Sequence, residues 1–284
     1  MNRRLYCWLI AFVFLLGLPT LPVFAQSETG KGAIPNFWDP RHRPPKPDPK
    51  TLRSIRFLTD EDYPPFHFIG PDGQLTGFNI DLARAICDEL KIVCTIQSRR
   101  WDNLVDALDQ KQGDAIIASL AITPENRKHL EFTDPYYRTP ARFVARIDRP
   151  LAGVTPKDIA GRTVAVVSGS AHEAYLRAFF PDAVVKSFSD SDGARDALRT
   201  GQVEALFGDG VGLAVWLAGS AASNCCAFVG GPFLESRYFG EGVGIAVRQN
   251  DDLLRQSLDY ALVRLWENGA YATLYLKYFP VGFF

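Results

Sequence analysis

From residue 52 onward the apolar positions switch repeatedly between a period of two and a period near 3.6, the signature of strands alternating with helices. Residues 55–59, 93–97 and 115–118 read as strands, and residues 80–90 and 102–111 as helices. Another helix is expected to open at Thr123-Pro124-Glu125, with Thr as its cap and Pro in its first turn. The order then repeats with strands at 163–167, 183–186 and 205–207 and helices at 172–180, 192–200 and 211–218. This alternation predicts an α/β protein with mostly parallel sheets covered on both faces.

Ala107-Leu108 stands eight residues before Ala115, and Ala197-Leu198 stands eight before Ala205. The two series therefore align as two lobes of one topology, the alternative being a chance match of two short helix–strand units. In this register Ser119 and Asp209 are equivalent, each at the carboxyl end of a central strand, where open parallel sheets bind ligands. Residues 142–145 and 244–247 are the remaining good strands and fall where the chain would cross between lobes, which predicts a two-strand hinge. Residues 253–279, helical with a break at Asn268-Gly269, should return to the first lobe. The expected division is residues 52–140 plus 243–284 for lobe one and 141–242 for lobe two, with a ligand between them drawing the lobes together.

The N-terminal segment is a separate object. Arg3 and Arg4 precede an apolar run of about 14 residues that ends in Pro19, Pro22 and Val23-Phe24-Ala25; a membrane span needs roughly 20. Residues 1–25 thus read as a secretory signal cleaved near Ala25, and no Cys follows that point for lipid attachment, which predicts a soluble periplasmic protein. Residues 26–51 are polar and then dense in proline, from Pro35 to Pro49, and read as a stiff extended leader or solvated spacer.

Composition narrows the function by exclusion. The 284 residues carry 31 Lys and Arg against 32 Asp and Glu, for a net charge of -1, which lacks the basic footprint of a nucleic-acid binder. No zinc-ligand cluster, phosphate loop or nucleophile elbow occurs, so neither metal nor cofactor is expected. Four cysteines remain after the signal, and an oxidising compartment allows three pairings. Cys87 falls late in a helix and Cys94 in the next strand, so a reversal near Lys91 can join them; one continuous helix would hold their Cα atoms about 10 Å apart. Cys225 and Cys226 are adjacent, and either a vicinal bridge or two free thiols is open.

Several ordered motifs then carry a family resemblance: Asp60 with Tyr63-Pro64-Pro65-Phe66, Gly77-Phe78-Asn79-Ile80-Asp81-Leu82-Ala83, the Cys87 and Cys94 spacing, Ile122-Thr123-Pro124-Glu125, Phe132-Thr133-Asp134-Pro135-Tyr136 and Tyr238-Phe239-Gly240-Glu241-Gly242. From about residue 53 to 279 the chain resembles the family 3 extracytoplasmic solute-binding proteins, the amino-acid receptors of ABC importers. Within that family it is most similar to the lysine/arginine/ornithine- and histidine-binding proteins. The resemblance implies the two-lobed periplasmic binding protein fold, a monomer that captures an amino acid or related amine, and the membrane subunits of an importer as partners. It places Asp209 on the ligand's ammonium group, Tyr63 and Trp101 as flanking aromatic rings with Phe66 beside them, and Asp60 toward a polar or cationic ligand tail.

Departures from the family pattern mark this chain. Asn79 stands where the family has an acid, and Asn126 stands where it has the carboxylate-binding Arg, with Arg127 one place later. One residue on a helix is about 100° of rotation, so Arg127 either reaches back or points elsewhere. Ala118, Ala121 and Ala171 replace pocket hydroxyls, while Ser119, Ser170 and His172 remain as candidate ligand contacts. Each candidate has a plainer use: Asp209 can cap the helix at Val211, Asp60 can be a solvated charge beside Glu61 and Asp62, and Tyr63 and Trp101 can be packing residues. The competing functions are a receptor that presents its ligand to a sensor, and an enzyme resembling the periplasmic cyclohexadienyl dehydratases with Glu173 as acid. Ser170-Ala171-His172-Glu173 also reads as a capping box that would engage Glu173 in structure.

Overall fold

A computed structural model of the chain describes Trp38, residues 43–48 and residues 52–284. The signal segment 1–25 and most of the leader lie outside the described residues. In chain order come β1 (Ser54–Thr59), a small antiparallel sheet of β2 (Asp62–Tyr63), β3 (His67–Ile69) and β4 (Leu75–Thr76), then α1 (Phe78–Leu90), β5 (Val93–Ser98), α2 (Leu104–Asp109), β6 (Ala115–Ile116) and β7 (Leu130–Phe132). Next follow β8 (Ala141–Arg146), α3 (Pro156–Ile159), β9 (Thr163–Val167), α4 (Ala171–Phe179), β10 (Val184–Phe188), α5 (Ser191–Arg199), β11 (Ala205–Asp209), α6 (Gly210–Ala218), β12 (Cys226–Phe233) and α7 (Ser236–Phe239). The chain closes with β13 (Ala246–Arg248), α8 (Asp252–Glu267) and α9 (Ala270–Tyr278).

The two large sheets share one plan. Their orders are β5-β1-β6-β13-β7 and β10-β9-β11-β8-β12. In each, three parallel strands are followed by one antiparallel strand and an edge strand paired to it. Ala115 pairs with Phe57 and Val247, and Ala205 with Val164 and Ala145, so the aligned alanines occupy equivalent positions. Runs such as Val164-Ala165-Val166 are buried because helices cover both faces of the sheet. In α1 the buried Phe78, Leu82, Ala83 and Ile86 turn to the core, where Leu258 and Leu262 of α8 and Tyr271 and Tyr275 of α9 meet them. The returning tail therefore packs on the first sheet.

Helix α1 ends at Lys91, whose left-handed φ of 58° reverses the chain. That reversal brings the Cα atoms of Cys87 and Cys94 to 6.1 Å, and the two sulfurs are bonded. Cys225 and Cys226 form a vicinal bridge in the turn that leads into β12.

The expected hinge strands are sheet strands, β8 within the second sheet and β13 within the first. The crossings lie just outside them. Tyr136 N–H donates to Val243 O and Val243 N–H to Tyr137 O, both at 2.9 Å, so the two passages run side by side. Gly242, at φ +114°, sits in this pair; a Cβ there would fall 2.9 Å from Pro135 Cβ and 3.0 Å from Tyr137 O.

One expectation fails, and another is modified. No α-helix opens at Thr123: Thr123 Oγ1 accepts from Asn126 N–H at 3.1 Å, but only a single 3-10 turn (Asn126–Lys128) follows before the chain enters β7. The leader is irregular and largely exposed at residues 43–48, but not at Trp38. Trp38 is buried, with its ring edge-on to Tyr271 at 5.3 Å and tilted against Trp266 at 5.8 Å, while Arg43 pairs with Glu267. The indole area removed from water outweighs the local preference of proline for an extended solvated chain.

The Cys87–Cys94 loop is short, and its bridge should contribute about 2–3 kcal/mol in the chain-entropy account. Cys87→Ser with Cys94→Ser should lower the unfolding free energy by that amount in denaturant titrations. An unchanged midpoint would show that α1 and β5 hold each other without the bridge.

Candidate functional site

At the carboxyl edge of the first sheet lies a buried polar network centred on Asn79. Asn79, in the first turn of α1, is fully buried. Its Nδ2 lies 2.9 Å from His67 Nδ1 and donates to Ser119 Oγ at 3.0 Å, and its Oδ1 accepts from Tyr136 OH at 3.1 Å. Because the amide donates, His67 Nδ1 carries the lone pair and the ring proton sits on Nε2. Nε2 faces Asp60 Oδ1 at 2.6 Å, with angles outside those of a hydrogen bond. Burial holds the His67 pKa below its ordinary value, against the pull of Asp60. A carboxylate at position 79 could only accept, so Asn79 and His67 belong together.

Ser119 ends the strand passage in a left-handed conformation, φ 57°, which turns its hydroxyl back to Asn79. Above the network Tyr63, Phe66 and Tyr137 stack, with centroids 5.2 and 4.8 Å apart and interplanar angles of 14° and 18°. Tyr63 is 48% exposed and Phe66 is buried, so Phe66 supports the outer ring instead of presenting its own face. Trp101 is 50% exposed and opens the turn after β5. Burial raises the Tyr63 and Tyr137 pKa values first, and the negative charge of Asp209, from the other sheet, raises them further.

Asp209 is the last residue of β11 and the N-cap of α6; its Oδ1 accepts from Gly212 N–H at 2.6 Å. Burial pushes its pKa up, while that amide and the charge of Arg195 pull it down. Capping and ligand binding are compatible, since a carboxylate has about four acceptor sites and the cap engages one oxygen. A cavity of about 240 Å³ opens beside it, lined in part by Ser170, His172, Ser191, Arg195 and Phe207. His172 stacks on Phe239 at 5.3 Å, and burial lowers its pKa to about 4, so the ring is neutral at pH 7. Ser170 caps α4: Oγ accepts from Glu173 N–H at 3.1 Å and donates to Val167 O. Ala171 is the exposed first residue of that helix.

The remaining candidates are engaged elsewhere. Asn126 donates its Nδ2 to Ala121 O at 2.8 Å, and Arg127 pairs with Glu241 at 3.0 Å in the hinge passage. Glu173 bonds back to the Gly169 amide, one residue before the expected Ser170, and accepts from Ser187 and Arg177; these donors hold its pKa near 2. A carboxyl ionised down to that pH carries no proton at neutrality for an acid-catalysed elimination. The structure thus gathers Asp60, Tyr63, Phe66 and Ser119 in one lobe and Ser170, His172 and Asp209 in the other. His67, Tyr137 and Arg195 are additions that sequence reasoning did not single out.

Residues 55–281 match the family model of bacterial extracellular solute-binding proteins, family 3, and the chain belongs to that family. The L-arginine-binding protein of Pseudomonas aeruginosa is 36% identical over 230 residues, covering 80% of this chain and 88% of that protein. The lysine/arginine/ornithine-binding periplasmic protein of Escherichia coli is 30% identical over 228 residues, covering 80% and 87%. The second substrate-binding domain of GlnP from Lactococcus lactis shares the fold, with a TM-score of 0.68 at 23% identity over 81% of this chain and 96% of that one. Among the described residues no helix is long and apolar enough to cross a membrane.

A lowered histidine pKa makes a signed prediction. Neutral His172 contributes stability that is complete above the ordinary histidine value and is lost as pH falls from about 6.5 toward 4. Its NMR titration should have a midpoint near 4. His172→Gln should lose less stability than the parent on acidification from pH 7 to 4, by up to about 3 kcal/mol; a midpoint near 6.5 with equal losses would contradict a half-buried ring held neutral.

Proposed function

We propose that this chain is a periplasmic receptor that takes a cationic amino acid, of the arginine or lysine kind, between its two lobes and delivers it to the membrane subunits of an ABC importer. The observation that carries the reading is Asp209: a partly buried carboxylate at the end of a central strand, beside a cavity, whose charge reaches the phenols of the opposite lobe. Such a group is costly to keep ionised without a partner, and an ammonium ion supplies one. Tyr63 and Trp101 offer exposed ring faces for the ligand's stem or cationic head, worth about 0.5–2 kcal/mol for a cation over a ring. Asp60 keeps a second oxygen free of His67 for the tail. The names of the relatives, which bind arginine, lysine, ornithine or histidine, support a cationic ligand.

In this reading the hinge lies at residues 140–141 and 242–243, lobe one is 52–140 with 243–284, and lobe two is 141–242. The receptor is exported on residues 1–25, released near Ala25, and works as a monomer without cofactor. The neutral His172 and the ionised Glu173 support binding over turnover.

L-arginine, L-lysine and L-ornithine should each be tried by calorimetry and thermal shift. A bound ligand at 100 times its Kd should stabilise the fold by about 2.7 kcal/mol. Asp209→Ala should cost about 2–5 kcal/mol of affinity by leaving the ammonium unpaired. Parent-like affinity in that variant would remove Asp209 from the site.

A further inference from the structure

Both residues that stand at or next to the family's carboxylate-binding position are occupied, Asn126 with Ala121 O and Arg127 with Glu241. The chain holds a different guanidinium near Asp209. Arg195, on the second turn of α5, lines the 240 Å³ cavity together with Asp209, Ser170 and Ser191. Its Nη2 donates to Gly212 O at 3.2 Å and its Nη1 to Asp192 Oδ1 at 3.2 Å. A guanidinium has five N–H donors, and these bonds use two of them. Nε is buried and has no hydrogen-bond partner. A buried N–H of a charged group without an acceptor is costly, and a carboxylate satisfies it in the bidentate manner that the planar fork favours.

Position matters as much as vacancy. A Cβ at Gly212 would lie 3.3 Å from Asp209 Oδ1 and 3.4 Å from Arg195 Nη2, so the two opposite charges flank one point of the α6 backbone. An α-amino acid carries its ammonium and its carboxylate on one carbon, which suits a pair of opposite charges set this close. We propose that Arg195 holds the α-carboxylate of the ligand while Asp209 holds its ammonium, so that lobe two alone clamps the zwitterion and lobe one receives the side chain. This rests on the amino-acid receptor reading above and makes it specific. Ligands lacking the carboxylate should be discriminated against through Arg195. The hydroxyl of Ser191, at the start of α5, lies on the same wall.

The test is calorimetry of the full secreted chain with L-arginine and with agmatine, the same molecule without its carboxylate. The parent should bind L-arginine more tightly than agmatine. Arg195→Gln should lose at least about 30-fold in affinity for L-arginine and erase most of that preference, the loss expected when one member of a buried charge pair is removed. Arg195→Lys, which keeps the charge but not the fork, should fall between parent and Gln and serves where the Gln variant folds poorly. Parent-like L-arginine affinity in both variants would overturn the proposal and leave the receptor reading intact, as would a loss found in Arg127→Ala and not in Arg195→Gln. A parent chain that prefers agmatine would overturn it as well. If thermal shift shows the parent binding no α-amino acid, the receptor reading and this proposal fall together.

Discussion

The first sheet is completed only by a strand that returns from the second lobe: β13 enters between β6 and β7, whereas the second sheet is built from the continuous stretch β8 to β12. The first sheet therefore cannot finish its ladder until the chain has crossed twice, and the crossings are pinned side by side through Tyr136, Tyr137 and Val243. Backbone groups left unpaired in a sheet interior are costly, which makes the return of β13 a requirement of the fold. It also fixes the length of the passages. Relative motion of the lobes must be taken up within a few residues around Gly240 and Gly242, both at positive φ. The tail reinforces the junction, since Phe283 belongs to the same buried cluster as Val211 and Ala214 of the second lobe, and the partly buried Phe228 packs against it.

The candidate site sits on this frame unequally. In lobe one Asn79 uses both amide donors, on His67 and Ser119, and accepts from Tyr136. These bonds hold a floor beneath the aromatic stack, while His67 Nε2 and Asp60 Oδ1 are left without a hydrogen bond. Lobe two also has polar groups to spare. Asp209 spends one oxygen on the α6 cap, and Arg195 retains a buried N–H. In the proposed reading these charges meet the zwitterion, while the exposed rings of Tyr63 and Trp101 belong to lobe one. Closing one over the other would strengthen each charge contact by excluding water.

Much of this was legible in the sequence because local signals and tertiary pairing agree. The caps at Ser170 and Asp209, the reversal near Lys91 and the eight-residue offset before Ala115 and Ala205 all concern short-range geometry. Where the two disagree, local reading fails. Thr123 and Pro124 signal a helix start, yet Leu130 to Phe132 are drawn into pairing with β13, which leaves room for one turn only. Strand β12 contains Gly230, Gly231 and Pro232, residues that read as a turn; it lies at a sheet edge with an irregular register, where such residues are tolerated. Arg195 was hidden by Asp192 and by the Asp196–Arg199 pair, whose i,i+3 spacing reads as a solvated helix face. Trp38 was hidden by the prolines that follow it.

A solute held between Asp209 and the facing rings is expected to draw the lobes together about the paired crossings. Small-angle scattering of the purified protein, with and without saturating L-arginine, tests it most directly. The account predicts a smaller radius of gyration with ligand, and no change on adding ligand to Asp209→Ala under the same conditions. A ligand proven by calorimetry to saturate the site while the radius stays constant would contradict it.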